Sequence, residues 1–489
     1  MHLRRWITAG AAALAIFAFA GLALAASGPV DASGLSPFAA CTVGGPGTNY
    51  VNSEVEPFVA VNPTDPSNIV GVFQQDRWNN GGAHGLVTST SHDGGATWNK
   101  SWAHFSTCSG GTAANGGDYD RASDPWVTFA PNGDVYQISL SASADVTVSA
   151  VLVSKSTDGG DTWSEPITLA RNVSAFGFGP GFNDKESITA DPTNSNFVYA
   201  VWDRSRFPSD RAGVTGQMNA ASIRGDIMLS RTTDGGQTWE PARDILPGNQ
   251  NEFTVGNQIA VLPDGTLVDI FEDGNGSGAQ RSPNQFHQSV IRSTDHGVTW
   301  SKVIDISTDG SVPVRDPDTG AFERTGGGLP DIAVAPSGTL YAVWADGRFS
   351  GFTHDDIALS RSTDGGLHWS APIKVNASPA GVAAFTPMVD VASDGTVAVT
   401  YYDFRNNTTD PSTLPTDAFA VFSHDSGQTF GGEVRLTPSS FDLDLAPNAG
   451  GRFLGDYVGL SHAGSTFIPF YTQTVSSSNP TDVFASFVP

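Results

Sequence analysis

The sequence predicts an all-β chain folded as a β-propeller of four-stranded antiparallel blades, and three observations carry that expectation. An eight-residue pattern, S-x-D-x-G-x-T-W, recurs six times. Paired β-rich runs joined by tight turns recur seven times. Glycine and proline, 55 and 30 of the 489 residues, supply turns throughout. Recurrence at a quasi-regular period marks a repeat architecture, with one supersecondary unit per repeat.

The pattern runs Ser91–Trp98, Ser156–Trp163, Thr232–Trp239, Ser293–Trp300, Ser362–Trp369 and Ser423–Phe430, with its aspartates 61 to 76 residues apart. Asp93, Asp158, Asp234, Asp295, Asp364 and Asp425 each stand where a side chain can accept backbone N–H bonds, and the following glycine supplies the positive φ. Upstream of each copy lie runs such as Trp126–Phe129 and Val135–Ile138, separated by Pro131-Asn132-Gly133. Alternating runs about a glycine turn read as a hairpin. A third run before the pattern and a fourth after it complete a four-stranded blade. The last hairpin, Tyr457–Leu460 with Phe467–Tyr471, is followed by Val483–Phe487 and lacks the pattern. Seven blades are therefore expected, closed by a strand between Cys41 and Glu54, with six blades and an appended tail as the alternative.

Composition narrows the partners. Fifty acidic and 25 basic residues give a net charge of −25, and only five of the basic residues are lysine. Such a chain is poorly suited to hold a phosphate backbone or an anionic membrane. The opening Met1-His2-Leu3-Arg4-Arg5, the apolar run from Ile7 to Ala26 and the small residues of Ala23-Leu24-Ala25 read as a signal peptide cleaved after Ala25. The expected organisation is a leader over 1–25, an N-terminal segment over 26–53 and the propeller over 54–489, secreted and monomeric. In an oxidising compartment Cys41 and Cys108 could pair, closing a loop of about 68 residues at a gain of roughly 4 kcal/mol, or stand as free thiols. No cofactor is expected. Asp316–Gly320 lacks the spacing of a calcium loop, and the histidines form no HExxH pattern.

The repeated S-x-D-G-G-x-T-W resembles the Asp-box, or bacterial neuraminidase repeat, of the sialidase superfamily, over roughly residues 54 to 489. The resemblance implies a β-propeller and a retaining exo-glycosidase that removes a terminal sugar. In that chemistry arginines clamp a substrate carboxylate, a Glu-activated Tyr attacks the anomeric carbon, and an Asp serves as acid/base. The family's Arg-Ile-Pro motif is absent; the nearest stretch is Gln75-Asp76-Arg77-Trp78.

Candidate residues follow from the face that carries the long connections, such as 205–224, 274–287, 311–329 and 406–417, since chemistry sits on loops held by a rigid scaffold. Second-strand ends contribute Arg77, Arg204, Arg348 and Arg405, each beside an aspartate, as a carboxylate clamp or as a ring of structural ion pairs. First-strand starts contribute Glu54 and Glu56, Tyr119–Asp124 with Arg121, Asp184-Lys185-Glu186, and Arg452 with Asp456-Tyr457. On this reading Tyr457 is the nucleophile, Glu186 its base, Asp124 the acid/base, and Arg121 and Arg452 further substrate contacts. Trp78, Trp202 and Trp344 are core residues or sugar-stacking platforms. A propeller glycosidase on a neutral polysaccharide, and a non-catalytic binding module for glycans or proteins, are the alternatives.

Overall fold

In the computed structural model, residues 28–173, 181–206, 224–248, 252–275 and 286–489 are described. The leader expected over 1–25 lies outside them, as do parts of the 205–224 and 274–287 connections. The regular structure of the described residues is β-strand with three short 3-10 turns, and all but three two-residue strands fall into seven four-stranded antiparallel units. The first is Glu54–Val61, Ile69–Arg77, Ala83–Ser91 and Asn99–Ser101; the second is Arg121–Phe129, Val135–Ala142, Val148–Ser156 and Ile167–Val173. A single pairing, Ala83 with Ala122, joins these two. The third to sixth units begin at Phe182–Ala190, Glu252–Val261, Asp331–Val334 and Ala384–Val391, and each continues antiparallel to its fourth strand.

The seventh unit takes Gly459–Ala463, Thr466–Ser476 and Asn479–Ala485 from the end of the chain. Its outer strand is Val30–Asp31, paired with Ala485 and Phe484. This corrects the expected closing strand between Cys41 and Glu54. That stretch is held over the first unit instead: Cys41 is disulfide-bonded to Cys108, and Ser36 Oγ and the Asn52 N–H donate to the Asp76 carboxylate at 2.7 and 2.9 Å. Within it only isolated bridges form, Asn49 with Trp78 and Ser53 with Thr481.

The six eight-residue turns share one hydrogen-bond plan. Ser91 Oγ donates to Asp93 Oδ1 and accepts from the Gly95 N–H, both at 2.8 Å. The Thr97 N–H then donates to the same carboxylate oxygen at 2.9 Å. The plan repeats at Ser156, Thr232, Ser293, Ser362 and Ser423. Each turn rests on the preceding unit. Gly236 lies against Tyr136, and Gly95 of the first unit lies against Phe487 at the end of the chain, where a Cβ would come within 1.9 Å of the ring. Core side chains interleave between successive sheets, as where Tyr341, Val343 and Leu359 of the fifth unit meet Val389, Val399 and Tyr401 of the sixth. Each such side chain contributes about 1.5–3 kcal/mol on burial. First strands neighbour one another around the molecule, and that of the seventh unit packs against that of the first.

The first strands share a second device. Their pairing slips at Val55/Phe58, Ser123/Trp126, Asp184/Ser187, Val255/Gln258 and Phe385/Met388. At each slip one residue has positive φ: Glu56 at 52°, Asp124 at 52°, Lys185 at 49°, Gly256 at 79° and Thr386 at 52°. These are β-bulges, which bend a strand and re-aim one side chain. Proline follows at Pro57, Pro125 and Pro387, where a bulge leaves no ladder bond for its missing N–H.

Candidate functional site

Four of the five bulge residues are not glycine, and each left-handed conformation there costs roughly 1–3 kcal/mol; such strain persists where the fold over-determines it and concentrates at functional sites. Three of the four are charged and converge. Lys185 Nζ lies 2.7 Å from Asp456 Oδ2, 3.3 Å from Glu56 Oε1 and 3.7 Å from Asp124 Oδ2. Asp456 follows Gly455, whose φ is 146°, and its backbone N–H donates to Glu56 Oε1 at 3.2 Å. Arg324 grips Asp456 with Nη2 at 2.6 Å and Nε at 3.1 Å. Asp184, next to the Lys185 bulge, shares a side-chain hydrogen bond with Asp124.

The carboxyl groups are driven apart in acidity. Burial, reinforced by the Asp124 charge, lifts Asp184 to about 7. Burial lifts Glu56 to about 8, against the pull of Lys185. Burial also acts on Asp124, but Lys185, the Ser123 hydroxyl and Arg77 outweigh it and hold that carboxyl below its ordinary range. Lys185 and Arg324 do the same for Asp456. Neighbouring acids whose environments separate their proton affinities are the usual arrangement for proton transfer.

Two cavities flank this cluster. One, of about 310 Å³, is bordered by Arg77, Arg121, Asp124, Asp184, Lys185 and Arg324. The other, of about 410 Å³, shares Lys185 and Arg324 with it and reaches Asp456. Beside them a smaller space of about 30 Å³ is lined by Trp126, Lys185, Glu186, Asp456 and Tyr457. That volume suits one or two waters. Tyr457 Oη donates to the Pro125 carbonyl at 3.0 Å, and its ring packs against Trp126 at 5.2 Å. Both Glu186 carboxylate oxygens lack a protein partner, and burial raises its pKa well above the usual carboxylate range.

The structure thus brings Arg77, Arg121, Asp124, Glu186 and Tyr457 to the centre, on two levels. Arg77 is buried, with its Nη1 on Gln74 Oε1 at 2.5 Å and its Nε without a partner. Arg121 is engaged by backbone, donating to the carbonyls of Gly44 and Pro46, and lies 4.6 Å from the Trp78 ring. The other arginines do not join a clamp. Arg204 pairs with Asp226 at 2.8 Å, Arg348 with Asp346 at 2.7 Å and Arg405 with Asp403 at 2.7 Å. Those aspartates are fully buried on the arginine's own or the adjacent strand, so a local ion pair satisfies both charges. Arg452 approaches Asp444 at 3.4 Å, and its backbone N–H donates to Glu323. Trp202 and Trp344 are wholly buried and Trp78 nearly so, which makes them core residues.

Arg324 escaped the sequence reading. It arrives from the long 311–329 connection, fixed where Glu323 and Arg324 pair in parallel with Arg452 and Phe453, and its guanidinium lies 4.3 Å from the Phe453 ring. One signal was available. Glu56-Pro57-Phe58-Val59, Asp124-Pro125-Trp126-Val127 and Thr386-Pro387-Met388-Val389 are the same bulge written three times. Among the described residues no group of three or more His, Cys, Asp or Glu side chains is arranged to hold a metal ion.

No family model matches the chain. A xyloglucanase of Acetivibrio thermocellus is 29% identical over 232 residues, 45% of this chain and 22% of that protein. A sialidase of Micromonospora viridifaciens is 28% identical over 189 residues, 36% of this chain and 28% of that one. The chain therefore spans less than a third of the length of either relative. Among solved structures, a Penicillium chrysogenum alpha-L-arabinanase complexed with arabinobiose superposes with a TM-score of 0.47 at 12% identity, covering 94% of this chain and 98% of that one. A Hadza microbial sialidase gives 0.47 at 16% identity, covering 87% and 74%.

Proposed function

We propose that the chain is a secreted, seven-bladed β-propeller glycoside hydrolase that releases a terminal, acidic sugar at the bulge cluster. The observation that carries the reading is the Asp124–Asp184 pair, with one member held ionised and the other lifted to about 7, at the wall of the 310 Å³ cavity. A cavity of that size suits a single sugar-sized ligand. The partial likeness to a xyloglucanase and a sialidase supports glycosidic-bond cleavage.

In this reading Asp184 holds the proton and Asp124 the charge. The pair protonates the glycosidic oxygen as the bond from the anomeric carbon breaks. Water then adds to that carbon, and its proton returns to the pair. Proton transfer from a positioned acid is worth about 10²–10⁴ in rate. Arg77, Arg121 and Arg324 border the same space and supply the positive charge that meets the substrate's carboxylate. Tyr457 and Glu186 line the neighbouring 30 Å³ space, with Tyr457 Oη given to the Pro125 carbonyl, and take no step in this scheme.

A second reading, cleavage within a neutral polysaccharide, is favoured by the second cavity on the other side of Lys185 and Arg324, which leaves room on both sides of the bond. The test is release of 4-methylumbelliferone from its α-linked N-acetylneuraminide, beside release of reducing sugar from xyloglucan. Sialoside turnover that drops at least 100-fold in Asp124→Asn supports the first reading. Turnover of xyloglucan alone favours the second, and equal turnover by wild type and Asp124→Asn removes the assignment. Export is checked by N-terminal sequencing of the secreted protein, expected to begin at Ala26.

A further inference from the structure

We infer that the 410 Å³ cavity is the leaving-group site of the proposed hydrolase and takes a flat, apolar aglycone. The inference rests on the hydrolase reading and adds the class of group on the departing side of the bond. The two cavities differ in chemistry. The sugar side is walled by four cations and two carboxylates. The other side keeps a polar end at Lys185, Arg324 and Asp456 and adds an apolar wall of Val255, Val312, Pro313, Val314, Phe322 and Leu329. Against the apolar wall a sugar's hydroxyls would give up water without matching partners, whereas an aromatic or alkyl ring loses nothing on leaving water.

The wall is fixed before any ligand arrives. Gly326 sits so tightly on Asp456 that a Cβ would come within 2.2 Å of its carbonyl oxygen. Thr386 Oγ1 donates to the Thr325 carbonyl at 3.0 Å, and Arg324 is held by Asp456. Phe322 stands at the rim, 45% exposed, an aromatic that this fold leaves in solvent although its neighbours Glu323 and Val314 are buried. Between the cavities runs the ridge of Lys185 and Arg324. A glycosidic bond lying across that ridge has its sugar beside Asp124 and Asp184 and its aglycone against Phe322.

The test uses the full chain and 4-methylumbelliferone as probe, followed by saturation-transfer NMR, with free galactose as the polar comparison. Transfer to the coumarin ring and none to galactose is expected. Phe322→Ser and Val312→Ser, both at solvent-accessible positions, should each weaken the coumarin by about tenfold. Phe322→Ser should also raise KM for an aryl glycoside by a similar factor and leave KM for the methyl glycoside unchanged. Absence of transfer, or transfer untouched by both substitutions, overturns the inference. Turnover of glycosides without coumarin binding overturns it alone, while coumarin binding with no turnover of any glycoside overturns the hydrolase and the leaving-group role together.

Discussion

The eight-residue turns and the first-strand bulges are both repeated backbone devices that carry acids, yet the turns treat every acid alike and the bulges drive theirs apart. In the turns the carboxylates lie near solvent and accept several hydrogen bonds, which lowers Asp93, Asp234 and Asp364 to about 2, the Thr97, Thr238 and His368 side chains acting most strongly. At the bulges burial lifts Glu56 and the adjacent Asp184 to about 8 and 7, while Lys185 holds Asp124 below its ordinary range. The turn chemistry is nearly identical in every copy. The bulge position reads Glu, Asp, Lys, Gly and Thr in the first four units and the sixth. A feature the fold needs in each unit is constant; a position the fold only aims is free to carry chemistry.

The sharpest break of this comparison is catalytic. Asp124→Asn should lower kcat/KM by about 10²–10⁴, while Asp295→Asn in a turn leaves it unchanged. Equal losses in steady-state assays would erase the distinction. Next comes Arg324→Ala, which leaves Asp456 buried with Lys185 as its remaining cation and should destabilise the fold by about 3 kcal/mol in denaturant titration. Arg348→Ala removes one donor from the buried Asp346, which keeps Trp344 Nε1 and the residue-348 backbone N–H, and should cost less, about 1–2 kcal/mol.

The pH dependence separates the two sets by sign. Folded carboxyls raised above the ordinary carboxylate values bind protons that the unfolded chain has released, so stability falls as pH climbs from about 4 to 8. Glu56→Gln should flatten that fall, an effect on the order of 2 kcal/mol by pH 8, read as the change in unfolding free energy between pH 5 and 8. The turn aspartates act in the opposite direction: their stabilisation is complete above the ordinary value of 3.8 and is lost as pH falls toward about 2. A flat profile between pH 5 and 8 in both wild type and Glu56→Gln would mean that the bulge acids are solvated. The smallest effect is expected at Ser91→Ala, which removes the buried acceptor of the Gly95 N–H and should cost about 1 kcal/mol with activity intact.

Much of this was legible along the chain. The hairpin and turn patterns locate the strands, and the non-repeated acids Glu56, Asp124, Asp184 and Asp456 stand out because the repeat does not require them. The arginines were harder to read. Asp-Arg at a second-strand end looks the same whether it faces a ligand or its own neighbour, and only the packed sheets show that Arg204, Arg348 and Arg405 are already paired. Trp202 and Trp344 illustrate the same ambiguity, resolved in favour of the core.

What the sequence determined by itself is what depends on near neighbours: strand alternation, glycine turns, and the hydrogen bonds that an aspartate makes two to four residues away. What tertiary structure alone decided is what depends on residues brought together from distant parts of the chain. Lys185 meets Glu56 and Asp456, and Arg324 meets Asp456, across separations of more than a hundred residues. Val30–Asp31 completes a sheet begun at the other end of the chain. Charge pairing and burial fall off over a few ångströms in space, and distance along the chain does not measure that separation.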